Sequence, residues 1–565
     1  MKVHTLGAGR LSSIVLAGSV LVVGCNASDA PVLLDTPTVE AALEAIRPEQ
    51  IEHHIRVLAD DSLQGRAPGT RGFEGAAGYA EASLQALGLQ AAGVDGTYRQ
   101  PVSLRGSVVV EESSGMSIVG PSGTRELEYD VDFYLSADPL REELELDDAP
   151  VAFVGYGVSA PGLGYDDYAS IDVTGKVVAY LTSAPPEFPS NERAYYSSGA
   201  TKTAEAIARG AIGILSFTNP EDPRFRWAVN TARAKRGSFA WLDGEGNPKG
   251  SGLRGSNPSI QGRGSLNHSA VAALFDGAER SPETVFSAAA TSTPQAFDLA
   301  TRVSMRTHTT HEAVDSWNVI ARLEGSDPDL REEHVVYVGH VDHFGVGVEV
   351  EGDAIYNGAH DNASGTAIVL EIARAFASLP TPPRRSILFL IVTAEEWGLL
   401  GSDYFVQNPT VPRSSLVANF SLDMPFLFHP LHDIVPYGAE HSTMSRSVTT
   451  AAEHLGLALG PDPIPEQVLF IRSDHFSFVR RGIPALFIKS GFETGDPDLD
   501  GSAINAAHRR DIYHTPFDEA DQGFDFEAGA AHGRVNFLTG YIIAQETDRP
   551  AWNPGDFFGD LFGGQ

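Results

Sequence analysis

Four continuous apolar runs constrain this chain more than anything else in it. Val335-Val336-Tyr337-Val338, Ile387-Leu388-Phe389-Leu390-Ile391-Val392, Val417-Ala418-Asn419-Phe420-Ser421-Leu422 and Ala485-Leu486-Phe487-Ile488 lack the strict alternation of a half-solvated strand. Each reads as a strand covered on both faces. Helical patterns separate them: Ile368, Val369, Ile372, Ala373 and Phe376 share one helix face. Strands alternating with helices predict an α/β fold, a mostly parallel-centred mixed sheet flanked by helices.

The chemistry sits at the ends of these runs. The first ends in Gly339-His340-Val341-Asp342-His343, the second in Thr393-Ala394-Glu395-Glu396, the third in Asp423-Met424. Ligands of open α/β sheets bind outside the carboxyl ends of the strands, so these residues converge on one edge. Two further segments fit there: Gly358-Ala359-His360-Asp361-Asn362-Ala363-Ser364-Gly365, opening a helix, and Tyr513-His514-Thr515-Pro516. The single cysteine, Cys25, excludes an internal disulfide, a Cys-rich zinc knuckle and a CxxC pair. A metal site here must use imidazole and carboxylate. The net charge of −34, from 40 basic and 74 acidic residues, repels phosphates and excludes a nucleic-acid binder. Neither a G-x-S-x-G elbow nor a Walker loop is present.

His340-x-Asp342, Asp361-Asn362-x-Ser364-Gly365, Glu395-Glu396, Asp423-Met424 and Tyr513-His514-Thr515 resemble, in order and spacing, the co-catalytic two-zinc aminopeptidase family. Its relatives include glutamate carboxypeptidases and catalytically dead transferrin-receptor-like proteins. The resemblance covers about residues 48–105 and 305–545, including Leu63-Gln64-Gly65-Arg66-Ala67-Pro68-Gly69-Thr70. It implies two Zn²⁺ per chain. His340 and Asp423 would hold one ion, Glu396 and His514 the other, and Asp361 would bridge them. Glu395 would be the general base, Asp342 would orient His340, and Tyr513 would stabilise the oxyanion. Those residue types suit the task. Zinc takes nitrogen and oxygen donors, and three carboxylates with a bridging hydroxide would balance the charge of two zinc ions. His343 and His360 match no ligand position and are expected in the pocket wall or behind the ligands, like Ser473-Asp474-His475-Phe476.

The rest of the chain divides around this unit. Lys2 and Arg10 precede a short apolar run, Leu11 to Val23, that ends in Val22-Val23-Gly24-Cys25 and resembles a bacterial lipoprotein signal. Residues 1–24 are thus expected to be removed and Cys25 to carry a lipid, with the outer membrane favoured over the inner because Asn26 follows. Residues 25–47 read as a tether. Residues 48–107 and 305–548 form the split catalytic domain, 108–304 a β-rich insert resembling a protease-associated domain, and 549–565 an irregular tail. Residues 230–266 read as a loop.

These expectations describe an exported zinc metallo-exopeptidase, an aminopeptidase acting on peptides, with membrane contact only through Cys25. Two alternatives stay open: a glutamate-carboxypeptidase-like exopeptidase, for which Arg472 and Lys489 are candidate carboxylate binders, and a non-catalytic surface binding protein on the same scaffold.

Overall fold

The computed structural model describes residues 34, 36–222, 225–250, 257–291 and 295–564. Residues 1–24 and Cys25 lie outside them. The four apolar runs are four strands, His334–His340, Ser386–Val392, Leu416–Ser421 and Ala485–Ser490. Ser386–Val392 and Leu416–Ser421 flank His334–His340 in parallel, and Ala485–Ser490 continues the parallel run beyond Leu416–Ser421. Antiparallel strands close both sides: Phe297–Leu323 beside Ser386–Val392, and Asp433–Tyr437 beside Ala485–Ser490.

The two-residue period of the strands divides their side chains between two cores. Val335, Tyr337, Ile387, Phe389 and Ile391 join one cluster, with helices Pro48–Leu58, Ser364–Ser378 and Phe526–Gln545. Val336, Val338, Leu388, Leu390 and Val392 join the other, with Phe405 and Phe478. Each such fully buried side chain contributes about 1.5–3 kcal/mol. The first layer is close-fitting: a Cβ on Gly540 would lie 1.8 Å from the Tyr337 hydroxyl, which donates to the Asn536 carbonyl at 2.9 Å. Among the described residues no helix is long and apolar enough to cross a membrane.

The insert has its own parallel strands, Glu143–Phe153, Val177–Leu181, Gly213–Phe217 and Gly262–Leu266. It is not a separate bead. Phe297–Leu323 is one strand of 27 residues. Its first part pairs with Gly115–Gly120 and Glu143–Phe153 of the insert. Its second part pairs with Arg99–Val109 and Ser386–Val392 of the catalytic sheet. The expected boundary at 304/305 therefore falls inside a strand that serves both bodies.

Three other segments are more ordered than expected. Within the expected tether, Pro37–Glu44 is a helix capped by Thr36, whose side chain accepts from the Val39 N–H, and Val39, Ala42 and Leu43 are buried. Within 230–266, expected as a loop, lie most of the helix Trp227–Lys235 and the strands Ser238–Leu242 and Gly262–Leu266; residues 251–256 are outside the described set. The tail contains the helix Phe557–Phe562. It docks by Phe558, which is buried against His441 and Phe470.

Candidate metal centre

His340 is the last residue of its strand and is level with Val392 of the neighbouring strand. The chain beyond Val392 turns at once, with Ala394 at φ 53°, and presents Glu395 and Glu396. Asp423 follows the third strand and precedes Met424, at φ 47°; His514 itself has φ 62°. A left-handed backbone at three non-glycine positions costs on the order of 1 kcal/mol or more each. It aims side chains at one point.

Asp361 comes from the turn before helix Ser364–Ser378 and is the first residue of the cis Asp361–Asn362 peptide bond. Two neighbours fix that turn. The Asp518 carboxylate accepts the backbone N–H groups of His360 at 2.8 Å and Asp361 at 2.9 Å. The Asn362 amide donates to the Leu422 carbonyl at 2.9 Å and accepts from the Met424 N–H at 3.1 Å, linking the turn to the end of the third strand.

The expected ligands meet. Asp361 turns one carboxylate oxygen to each side: Oδ1 lies 3.4 Å from His340 Nε2, Oδ2 3.1 Å from His514 Nε2. On the first side Asp423 Oδ1 is 3.7 Å and Glu395 Oε2 3.8 Å from His340 Nε2. On the second, Glu396 Oε2 is 3.4 Å from His514 Nε2. Two donor groups are thereby set side by side, His340 with Glu395 and Asp423, and His343 with Asp361 and Glu396.

The donor set fits divalent cations. His340 Nε2, Glu396 Oε1 and Asp423 Oδ1 are buried and have no hydrogen-bond partner. Unpartnered buried polar atoms cost on the order of 1–3 kcal/mol each, a deficit that coordination would remove. Burial pushes Glu395 well above the usual carboxylate range and Glu396 up to about 7, with the Asp361 charge adding to the latter. Crowded carboxylates of this kind are held apart by metal charge. Burial also acts on Asp361, but the imidazoles of His340 and His514 outweigh it and hold that carboxyl well below its ordinary value.

Asp342 does more than the sequence suggests. Its carboxylate accepts the backbone N–H groups of Glu395 at 3.1 Å and Glu396 at 3.4 Å. Its side chain stands 3.9 Å from His340 Nδ1, whose nearer neighbour is the Asp342 backbone carbonyl, at 3.2 Å. Tyr513 is stacked on His514 with ring centroids 3.6 Å apart, and its hydroxyl accepts from Arg472 at 2.9 Å. Lys489 donates to the backbone carbonyls of Asp423, at 2.9 Å, and Met424. Both candidate carboxylate binders are thus built into the wall.

His343 lies behind the ligands, as expected, and three further residues, Asp518, Arg66 and Arg233, escape sequence reasoning as parts of the centre. His343, buried, places Nδ1 2.6 Å from Glu396 Oε1, and burial drives its imidazole down to about 3, so it is neutral. Asp518 braces the Asp361 turn. Arg66 is buried and donates to the carbonyls of Val341 at 2.8 Å and Gly358 at 3.0 Å, joining the loops that carry Asp342 and Asp361. Arg233, from helix Trp227–Lys235 of the insert, donates to the Glu396 carbonyl at 3.3 Å. Of Asp518, Arg66 and Arg233, only Arg66 lies in a motif that the sequence singles out. His360 instead faces the Pro425 carbonyl and the His508 ring, in the wall. Asp474 lies buried behind the centre.

Residues 318–538 match the model of peptidase family M28. The aminopeptidase YwaD of Bacillus subtilis is 31% identical over 175 residues, 29% of this chain and 33% of that protein. A probable glutamate carboxypeptidase of Arthroderma benhamiae is 28% identical over 247 residues, 41% of this chain and 31% of that protein. The chain thus spans about a third of the length of these two relatives. The solved aminopeptidase from Aneurinibacillus sp. strain AM-1 shares the fold, with a TM-score of 0.52 at 20% identity over 91% of this chain and 99% of that one.

Proposed function

Because residues 318–538 match the model of peptidase family M28, we propose that this chain is a zinc-dependent exopeptidase, an aminopeptidase that removes N-terminal residues from peptides. One observation carries the reading: Asp361 stands between two donor groups with one oxygen toward each. That is the arrangement two adjacent cations need. His340 and Asp423 would hold one ion, Glu396 and His514 the other, and Asp361 both. Zinc, when bound there, polarises the scissile carbonyl and makes a water acidic enough to deprotonate near neutral pH.

The chain's own residues do the rest. Glu395 Oε2 takes the water proton and passes it to the leaving nitrogen as the C–N bond breaks and the C–O bond forms. Asp342, through the N–H groups it accepts, fixes where Glu395 and Glu396 start. The Tyr513 hydroxyl, oriented by Arg472, donates to the developing oxyanion. A free substrate α-ammonium would be attracted by the carboxylates that face the centre, Asp361, Glu395, Glu396 and Asp423. The Val22-Val23-Gly24-Cys25 sequence supports export and a lipid anchor on Cys25 at a bacterial cell envelope.

The test is a zinc-loaded protein against aminoacyl-arylamides and paired dipeptides, one acetylated and one amidated. Hydrolysis of free-amine substrates and amidated dipeptides supports the aminopeptidase. Cleavage of only the acetylated dipeptides would make it a carboxypeptidase. No cleavage of any peptide would sink both.

A further inference from the structure

A cavity of ≈ 360 Å³ opens between the insert and the catalytic body, and the ligand Glu396 is in its wall. Its insert side carries Arg233, Arg236 and Arg263; its catalytic side carries Phe344 and Trp397. A space of this size suits a residue or two of peptide. The charge of the walls is unusual for this chain, which has 40 basic against 74 acidic residues. In such a chain arginines readily find carboxylates. Lys235, on the same helix, pairs with Glu111 at 3.3 Å and with Asp130. Among the described residues Arg233 and Arg236 have no such ion pair. Arg233 uses one N–H on the Glu396 carbonyl. The Arg236 guanidinium lies 4.3 Å from the Phe344 ring centre and 4.4 Å from that of Tyr356, and its Nε is buried without a partner. Phe344 in turn meets the His514 ring edge-on at 4.7 Å.

Two guanidiniums thus stand beside the reacting centre without an anion, one tied to a carbonyl and one set in the corner between two perpendicular rings. Planar forks of this kind bind carboxylate by paired, charge-assisted hydrogen bonds. They would repel a substrate α-ammonium, so the amino-terminal residue lies elsewhere, and the cavity takes the peptide on the leaving side of the scissile bond.

We propose that the insert completes the substrate site: Arg233 and Arg236 bind a carboxylate on the residue that follows the scissile bond, making short or acidic peptides the preferred substrates. The carboxylate is either the α-carboxylate of a dipeptide or an acidic side chain. This rests on the peptidase reading above.

The experiment uses the zinc-loaded full chain and the amino-terminal residue X that an arylamide library finds best. Values of kcat/KM are compared for X-Ala, X-Ala-amide and X-Asp-amide. The expected result is an advantage of about tenfold or more for a carboxylate-bearing substrate over X-Ala-amide, the scale of one charge-assisted contact. A high value for X-Ala assigns the α-carboxylate; a high value for X-Asp-amide assigns the side chain. In R233Q/R236Q that ratio falls to near one, and R233K/R236K keeps part of it. Being a ratio within one protein, it is insensitive to general loss of activity. Should the double variant fail to fold, each single Gln variant is read in the same way. No carboxylate preference in the wild type, or one that survives the Gln changes, overturns the proposal. If the wild type cleaves no peptide, the peptidase reading falls instead, and calorimetric titration with glutarate decides the anion site alone. Binding lost in R233Q/R236Q upholds it, and absent or unchanged binding overturns it.

Discussion

His343 Nδ1 stands 2.6 Å from Glu396 Oε1, on the opposite side of that carboxylate from His514. Two imidazoles therefore flank one glutamate, one at each carboxylate oxygen. Partners behind a ligand typically account for 10–100-fold in metal affinity. H343A should lower the affinity for one of two zinc ions by about that factor, read by competitive chelator titration. Unchanged affinity for both ions would show that His343 only packs.

Glu395 lies with His340 and Asp423 by distance, yet its proposed task is proton transfer. E395Q should lose about 10²–10⁴ in kcat while purified protein keeps two zinc ions by elemental analysis. Loss of one ion with the activity would instead make Glu395 a ligand.

Metal binding should be linked to stability. The unpartnered His340, Glu396 and Asp423 atoms belong to the folded state, so a cation that binds them stabilises it by mass action. At a free zinc concentration a hundredfold above Kd this is about 2.7 kcal/mol per site. Tm should rise with added zinc and fall with chelator, in differential scanning calorimetry; a Tm indifferent to both would refute a preformed site.

Gly540 lets the helix Phe526–Gln545 lie against Tyr337. G540A puts a methyl 1.8 Å from the tyrosine hydroxyl and should destabilise by about 1–3 kcal/mol, the range for overpacking. Y337F in the same protein removes the colliding oxygen and should restore part of the loss. Additive effects in denaturant melts would mean that the two positions do not collide.

Acid should weaken the fold through histidines remote from the metal. Burial holds His334 down to about 4, with Arg322 adding to it, and His532 down to about 3. Below their ordinary value of 6.5 the unfolded chain takes up protons that the folded chain refuses. Stability is therefore complete above pH 6.5 and falls as the pH drops toward these folded values, by up to about 1.4 kcal/mol per pH unit for each histidine. H532Q, which keeps a polar group facing Ser490, should flatten the slope between pH 6 and 4; an unchanged slope would place the protons elsewhere.

The parallel core is legible in the sequence because four apolar runs leave no solvent face, and His340, Glu396 and Asp423 because each stands at a strand end, whereas Asp361 and His514 are marked by the family resemblance. What escapes has a common cause. Helix Trp227–Lys235 buries only Thr231 in its middle, so no apolar stripe marks it; Arg226 and Arg233 anchor it to carbonyls of Arg509, Arg510 and Glu396. Those bonds join residues far apart in the chain. His343 shares its motif with His340 and Asp342, and only the folded geometry turns its ring onto Glu396. Phe557–Phe562 is too short for periodicity, and its docking partners, His441 and Phe470, lie elsewhere in the chain. The strand Phe297–Leu323 carries strand chemistry throughout, and the hand-over of its pairing from one body to the other is a property of the folded sheet.

That strand also fixes how the insert can move. A flap on a flexible neck would swing about a few rotatable bonds. Here the neck is a ladder-bonded beam, paired on one stretch with one sheet and on the next with the other. Swinging the insert away would break backbone pairing on both sides of the joint. The clearance beside Glu396 is therefore tied to the pairing of that one strand.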